Sequence, residues 1–307
     1  MKVAIIGSGA MGSLFGGRLA LSGCDIVLYD IFKEHVEKIA AEGLAIEDAA
    51  TGAVTVAQPQ ASTDPRAAEG ADVLVIFVKS TATEEAAAQF APRARKDAIV
   101  LTLQNGLGNE EILKRHFGSS RTAAGVTSHG ATFLGPGRIR HAGKGPTHIC
   151  MSDGRNEKLA PLCRALEGAG FETHVSADVA SLVWSKLVIN VGINALTAII
   201  NQPNGKLLES DDTRAIMADL VAEAVAVANA RGIPLTHGDP LDVVLDVAGK
   251  TGANRSSMLQ DFDRKRPSEI EVMNGAIVRE AEKAGIAVPV NATITRLVRA
   301  MEKARTW

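Results

Sequence analysis

Gly7-Ser8-Gly9-Ala10-Met11-Gly12 follows directly on Val3–Ile6, four apolar residues suited to a strand, and leads into a helix-like stretch. Strand, glycine turn and helix in this order predict the opening of a dinucleotide-binding βαβ unit. One glycine makes the tight turn, one lets backbone approach a pyrophosphate, and one packs helix against strand. The helix start then offers free N–H groups and a partial positive charge to phosphate. Gly7, Ser8, Gly9, Ala10, Met11 and Gly12 are therefore candidate cofactor-binding residues. Asp30 closes the second apolar run, 18 residues past Gly12, where an acid that reads the ribose belongs. A carboxylate accepts from ribose hydroxyls and repels a 2′-phosphate, and Ile31, Phe32 and Lys33 follow it with no arginine. NAD(H) is favoured over NADP(H) on this reading. Lys33 or Lys79, the latter at the end of another strand, could reach a phosphate and argues the other way.

Short β-branched runs at Ile26–Tyr29, Val73–Val78 and Ile99–Thr102 alternate with helical stretches near 11–22, 33–42, 83–90 and 109–116. Such alternation predicts a parallel sheet with crossover helices. Residues 44–56 read as a small hairpin, Thr122–Thr132, Gly137–His141 and Thr147–Met151 as strands, and Phe171–Val175 as the last strand. Beyond Ser176 helical periodicity takes over. Ile216, Leu220, Ala224 and Val227 trace one face of a helix stopped at Gly232, and Ser268-x-x-Glu271 reads as a capping box opening another. The expected fold class is α/β: a Rossmann-type parallel-sheet domain over 1–176, then an all-helical domain over 177–307. At roughly 150 residues per domain, 307 residues fit two domains.

With 33 basic against 35 acidic residues, the net charge is −2. A general nucleic-acid or anionic-membrane binder should carry a basic excess, so neither partner is expected. Cys24, Cys150 and Cys163 are odd in number and lack ligand-like spacing. That argues against a disulfide framework or a metal site and makes a reducing cytosol the simplest compartment. The 19 uncharged residues Leu187–Gly205 invite a membrane reading, but they contain four Asn, a Gln and a Pro. A buried core helix fits better.

That same helix carries the main chemical signal. Lys186, Asn190, Asn194 and Thr197 stand at i, i+4, i+8 and i+11, on one face of an otherwise apolar helix. A helix apolar on nearly all sides is buried, and buried polar groups need partners, so the stripe should line a cleft. A polar edge with a snorkelling lysine is the plainer alternative. A partly desolvated lysine has a lowered pKa and can serve as a general acid near neutrality.

The chain resembles the ketopantoate reductases (2-dehydropantoate 2-reductases) over nearly its whole length. The resemblance rests on Gly7–Gly12, Gln104-Asn105-Gly106, Ser128-His129-Gly130-Ala131, Trp184-Ser185-Lys186-Leu187 to Asn190, and Ile193-Asn194-Ala195-Leu196-Thr197-Ala198. Pro203-Asn204-Gly205, Ser256-Ser257-Met258-Leu259-Gln260-Asp261, Glu269-Ile270 and Asn274-Gly275 continue it in order. It implies an active site between a Rossmann and a helical domain, a place in pantothenate biosynthesis, and NAD(P)H-dependent reduction of a 2-oxo acid to an (R)-2-hydroxy acid. It further implies Lys186 as general acid and Glu269 as a carboxylate near substrate and lysine. Asn105 would lie near the nicotinamide ribose and substrate, Asn190 and Asn194 would bind substrate oxygens, and Ser257 its carboxylate. Lys79 matches a position associated with the cofactor phosphate.

The sequence departs from the NADP-using pattern at Asp30-Ile31, where those members carry a basic residue. An NAD-dependent (R)-2-hydroxy-acid dehydrogenase for another branched or aromatic 2-oxo acid is the alternative. A non-catalytic NAD(H)-binding regulator is the alternative of another class. Without the resemblance, Glu269 reads equally as a first-turn helix acid and Ser257 as a helix cap. His129, His141 and His148 receive no role. Substrate side chain and oligomeric state stay open, a homodimer included.

Overall fold

The computed structural model describes residues 1–304 except residue 237. The chain falls into two compact units, one formed by Met1–Gln104 and Gly108–Val179, the other by Asn105–Leu107 and the residues from Ala180 on.

The first unit runs β1 (Lys2–Ile6), α1 (Ala10–Leu21), β2 (Asp25–Tyr29), α2 (Lys33–Glu42), β3 (Leu44–Asp48), β4 (Val54–Ala57), β5 (Gln60–Ser62) and β6 (Val73–Ile76). It continues through α3 (Thr83–Phe90), β7 (Ile99–Thr102), α4 (Asn109–Phe117), β8 (Thr122–Thr127), β9 (Gly130–Gly135), β10 (Arg138–Gly143), β11 (Thr147–Met151), α5 (Ala160–Gly168) and β12 (Thr173–Val175). An eight-stranded sheet has the order β12-β11-β8-β7-β6-β1-β2-β5. Its pairs are parallel except β8 with β11. In β1, Val3 and Ile5 enter one apolar cluster and Ala4 and Ile6 another, all fully buried. A strand covered on both faces needs apolar residues at every position, which is why this stretch reads as a continuous run.

The hairpin at 44–56 forms as β3 and β4, but it belongs to a second, four-stranded sheet of order β4-β3-β10-β9. Expected as one strand, Thr122–Thr132 is two. β8 stays in the large sheet, the chain breaks at Ser128-His129, and β9 pairs antiparallel with β10 in the small one. Thr127-Ser128-His129-Gly130 interrupts the apolar residues at that corner, but which sheet each half joins depends on the distant partners β10 and β11.

Helix α1 is held between the two sheets. A Cβ at Gly16 would run into Leu28 of β2, and one at Gly17 would lie 2.7 Å from Ile46 and 2.8 Å from Leu44 of β3. Adjacent glycines thus let one helix approach two sheets closely. Phe15 stacks on Phe171 at 4.2 Å between ring centroids and touches Phe77 at 5.2 Å.

The second unit is helical: α6 (Val179–Ile200), α7 (Asp211–Ala230), α8 (Pro240–Lys250), α9 (Ser257–Asp263), α10 (Asn274–Ala284) and α11 (Pro289–Ala304). α6 is long and apolar enough to cross a membrane, yet 67% of its apolar window is buried, as in a core helix. It ends where Asn201 adopts left-handed backbone (φ 54°) with Pro203 following. In α7, Leu220, Ala224 and Val227 are fully buried on the expected face. The expected capping box at Ser268 and Glu271 does not form. Glu271 instead makes a two-pronged ion pair with Arg299 (2.5 and 2.6 Å), a 3-10 turn spans Ile270–Val272, and α10 begins only at Asn274.

Phe15→Ala should open a cavity beneath α1 and cost about 3–5 kcal/mol. Urea unfolding followed by far-ultraviolet circular dichroism measures it.

Candidate active site

Two groups of candidate residues arise, one in each unit. In the first, β1 delivers Gly7 at its carboxyl end, with left-handed backbone (φ 95°) and its N–H donating to Tyr29 O at 2.9 Å. A Cβ on Gly7 would press on the Phe77–Val78 backbone, and one on Gly12 would strike the Gly7 carbonyl. Around the Cβ position of Gly9, by contrast, there is open space. Gly9 is the N-cap of α1 and offers no side-chain cap, so the first-turn N–H groups keep their donors for a ligand. Ser8 N–H donates to Asp30 Oδ2 at 2.7 Å, and Phe32 N–H donates to Asp30 Oδ1 at 2.9 Å. The Ser8 hydroxyl adds a longer bond to Oδ2 at 3.4 Å, and since a carboxylate has about four acceptor positions, Asp30 retains capacity beyond these three bonds. Lys79 is exposed just beyond β6, the strand beside β1, and Lys33 pairs with Glu37 at 3.5 Å. A turn with open room at Gly9, donors at a helix start and an acid at the end of the adjacent strand fits a dinucleotide.

In the second unit, α6 presents Lys186, Asn190, Asn194 and Thr197 along one face while Leu187, Val188, Val191 and Ile193 are buried in the core. Burial pushes the Lys186 ammonium down to about 8, and the Glu269 carboxylate pulls the other way. Glu269, 7% exposed, leads the 3-10 turn, whereas Glu271 two residues on reaches Arg299. Asn194 Nδ2 donates to Ser257 Oγ at 3.4 Å and to Met273 Sδ at 3.5 Å. Lys186 with Glu269, and Asn194 with Ser257, are thereby brought together. Asn190 lies one turn from each of its polar neighbours on the helix.

The cap of α9 is Ser256, not Ser257. Its Oγ accepts from Leu259 N–H at 3.1 Å and lies 2.7 Å from Thr197 Oγ1. This buried pair ties α9 to α6 and leaves the Ser257 hydroxyl beside Asn194. Sequence reasoning did not find Ser256, because adjacent serines give no signal as to which one caps. Asn105 precedes Gly106, whose φ of 80° and crowding by Val272 leave no room for a side chain. Leu107 N–H donates to Val272 O at 3.0 Å, so the segment docks on the turn that Glu269 begins.

The unassigned histidines pack in pairs. His129 Nδ1 lies 3.0 Å from His141 Nε2, and the His129 ring meets Phe171 edge-on. Burial pushes His129 down to about 4, so it is neutral at physiological pH. His148 stacks with His174.

The family described as ketopantoate reductase PanE/ApbA matches residues 3–154, and its C-terminal counterpart matches residues 178–302. The chain is 38% identical over 304 residues to 2-dehydropantoate 2-reductase of Halobacterium salinarum, covering 99% of each chain. A PanE/ApbA family ketopantoate reductase from Ralstonia eutropha JMP134 is similar in structure, with TM-score 0.92, 37% identity and full coverage of both chains. D-mandelate dehydrogenase in complex with NADH and anilino(oxo)acetate also has TM-score 0.92, at 29% identity and full coverage of both. By class the protein is an NAD(P)-dependent oxidoreductase. More particularly, the chain belongs to the ketopantoate reductase PanE/ApbA family.

Gly12→Ala should break the turn at Gly7 and weaken dinucleotide binding at least about tenfold, the equivalent of one or two lost backbone hydrogen bonds. Fluorescence titration with NADH and NADPH reads this directly.

Proposed function

We propose that the protein reduces the 2-oxo group of ketopantoate to (R)-pantoate, with Lys186 as the general acid. The observation that carries this reading is the lysine amine at about 8 on a polar stripe, opposed by Glu269. When bound, the reduced nicotinamide supplies the hydride. The Lys186 ammonium holds the carbonyl oxygen, stabilises negative charge developing there, and transfers a proton to it. It ends neutral and regains a proton from solvent. Glu269 keeps the ammonium charged against its burial and offers an acceptor to a substrate hydroxyl. Ser257 and Asn190 supply donors for the carboxylate. The amide hydrogens of Asn194 point to Ser257 and Met273, which leaves its Oδ1 to accept from a hydroxyl. Asn105 serves at the nicotinamide ribose and substrate. Gly7, Ser8, Gly9, Ala10, Met11, Gly12, Asp30 and Lys79 hold the dinucleotide.

Asp30 followed by Ile31, which is 83% exposed, favours NAD(H), because a carboxylate there repels a 2′-phosphate. That observation also supports a second reading, an NAD-dependent (R)-2-hydroxy-acid dehydrogenase acting on another branched or aromatic 2-oxo acid. A regulator without turnover is disfavoured, since it has no need of a lysine tuned towards neutrality. Initial rates with ketopantoate, NADH and NADPH side by side, separate these readings. Efficient turnover supports the first. Rates confined to 2-oxo-2-phenylacetate or a similar acid support the second, and dinucleotide binding with no rate on any 2-oxo acid supports the regulator.

Lys186→Ala should lower turnover by about 10²–10⁴-fold; a rate within a few-fold of the parent removes Lys186 from the chemistry. The pH profile has a defined sign. Reduction needs the protonated amine, so kcat/KM should be level below the Lys186 pKa of about 8 and fall above it. Oxidation of the hydroxy acid needs the neutral amine and should show the reverse. Asp30→Ala should shift the ratio of NADH to NADPH rates towards NADPH; an unchanged ratio overturns the reading of Asp30.

A further inference from the structure

Behind the glycine turn lies a chain of buried hydrogen bonds in which every proton can be placed. His35 of α2 is 1% exposed, and Ser8 and Ser13 are fully buried. Gly137 N–H donates to His35 Nδ1 at 2.9 Å. A backbone N–H can only donate, so Nδ1 carries the lone pair. Ser13 Oγ donates to the Ser8 carbonyl at 2.7 Å, where only the hydroxyl can supply the proton. Its single hydrogen is thereby used, and across the 3.1 Å to His35 Nε2 it must accept. The ring is therefore the neutral Nε2–H tautomer. Burial also pushes His35 below its ordinary value, against the pull of Asp30 and of the Ser8 backbone, which the ring also reaches directly.

The far end of this chain is the peptide that joins Ser8 to Gly9. In a trans peptide the carbonyl and the following N–H point in opposite directions. A Ser8 carbonyl drawn inward by Ser13 therefore turns the Gly9 N–H outward, at the residue whose Cβ position faces open space. On its other side, Ser8 is held by its own N–H on Asp30.

We propose that His35 is a positioning residue for dinucleotide binding: through Ser13 it fixes the Ser8–Gly9 peptide so that its N–H faces the pyrophosphate, and it anchors this arrangement to the β9–β10 turn at Gly137. An ordinary core histidine would need only burial and any two partners. Here both ring nitrogens are committed in one direction, and the relay ends on the turn that carries the ligand donors. The proposal rests on the dinucleotide reading given above.

The test is a double-mutant cycle read as dissociation constants for NADH and NADPH by fluorescence titration, with steady-state KM and kcat alongside. Ser13→Ala and His35→Phe should each weaken binding about tenfold, the effect of one buried hydrogen bond. The double variant should weaken it by clearly less than the product of the two single effects, because both side chains act on the same Ser8 peptide. The loss should fall on KM for the dinucleotide rather than on kcat. His35→Gln keeps an N–H near the Nε2 position and should recover most of the affinity, which a merely space-filling role does not explain. Additive effects, or binding within about twofold of the parent for Ser13→Ala, overturn the proposal; Ser13→Ala alone decides it should His35→Phe fail to fold. A parent that binds neither coenzyme overturns the dinucleotide reading and this proposal with it. A parent that binds while its variants bind equally well overturns this proposal alone.

Discussion

The first unit depends on a helix pressed from two sides. α1 touches β2 of the large sheet through Gly16 and β3 of the small sheet through Gly17, with Phe15 stacked on Phe171 between them. Interiors are packed near crystal density, so a helix wedged against two sheets cannot shift without opening voids. The turn that precedes α1 inherits that fixity. The small sheet is consequently more than a decoration on a nucleotide fold: it is the second wall of the helix, and at Gly137 it supplies the backbone donor that orients His35.

In the second unit the governing constraint is electrostatic. α6 is apolar enough to serve as a core helix, and a lysine in it is expensive unless its charge is offset or surrendered. Burial and Glu269 act on Lys186 in opposite directions, and the balance lies near 8, where both protonation states are accessible at physiological pH. Burial favours the neutral amine, and the Glu269 carboxylate favours the cation. Ser256 on Thr197, the last member of the stripe, and the Glu271–Arg299 pair hold the surrounding elements without drawing on the Lys186, Asn190 and Asn194 side chains.

Much of this was legible in the residues. Apolar runs buried on both faces, such as Val3–Ile6, marked the parallel sheet, and period-3.6 spacing placed Lys186, Asn190, Asn194 and Thr197 on one helix face. What escaped was whatever depends on long-range partners. Ser268-x-x-Glu271 has the spacing of a capping box, yet Arg299, 28 residues away, offers Glu271 a better partner. Gly137 and His35 are separated by 102 residues, and nothing in either neighbourhood announces their bond. At the Ser128-His129 corner one expected strand becomes two, and only pairing with β10 and β11 tells that the halves belong to different sheets.

Asn105–Leu107 departs from the strand order of the first unit to be counted with the second, after which the chain returns to build α4. The two units are therefore not beads on a single thread. A truncation beginning at Ala180 would give a helical fragment whose Val272 carbonyl lacks the Leu107 N–H it accepts. A fragment ending at Val179 would carry three residues whose docking turn is missing. Modular exchange of either half between relatives thus has to carry the 105–107 segment with the helical part, and a graft that cuts once, between sheet and helices, joins mismatched pieces at the segment bearing Asn105.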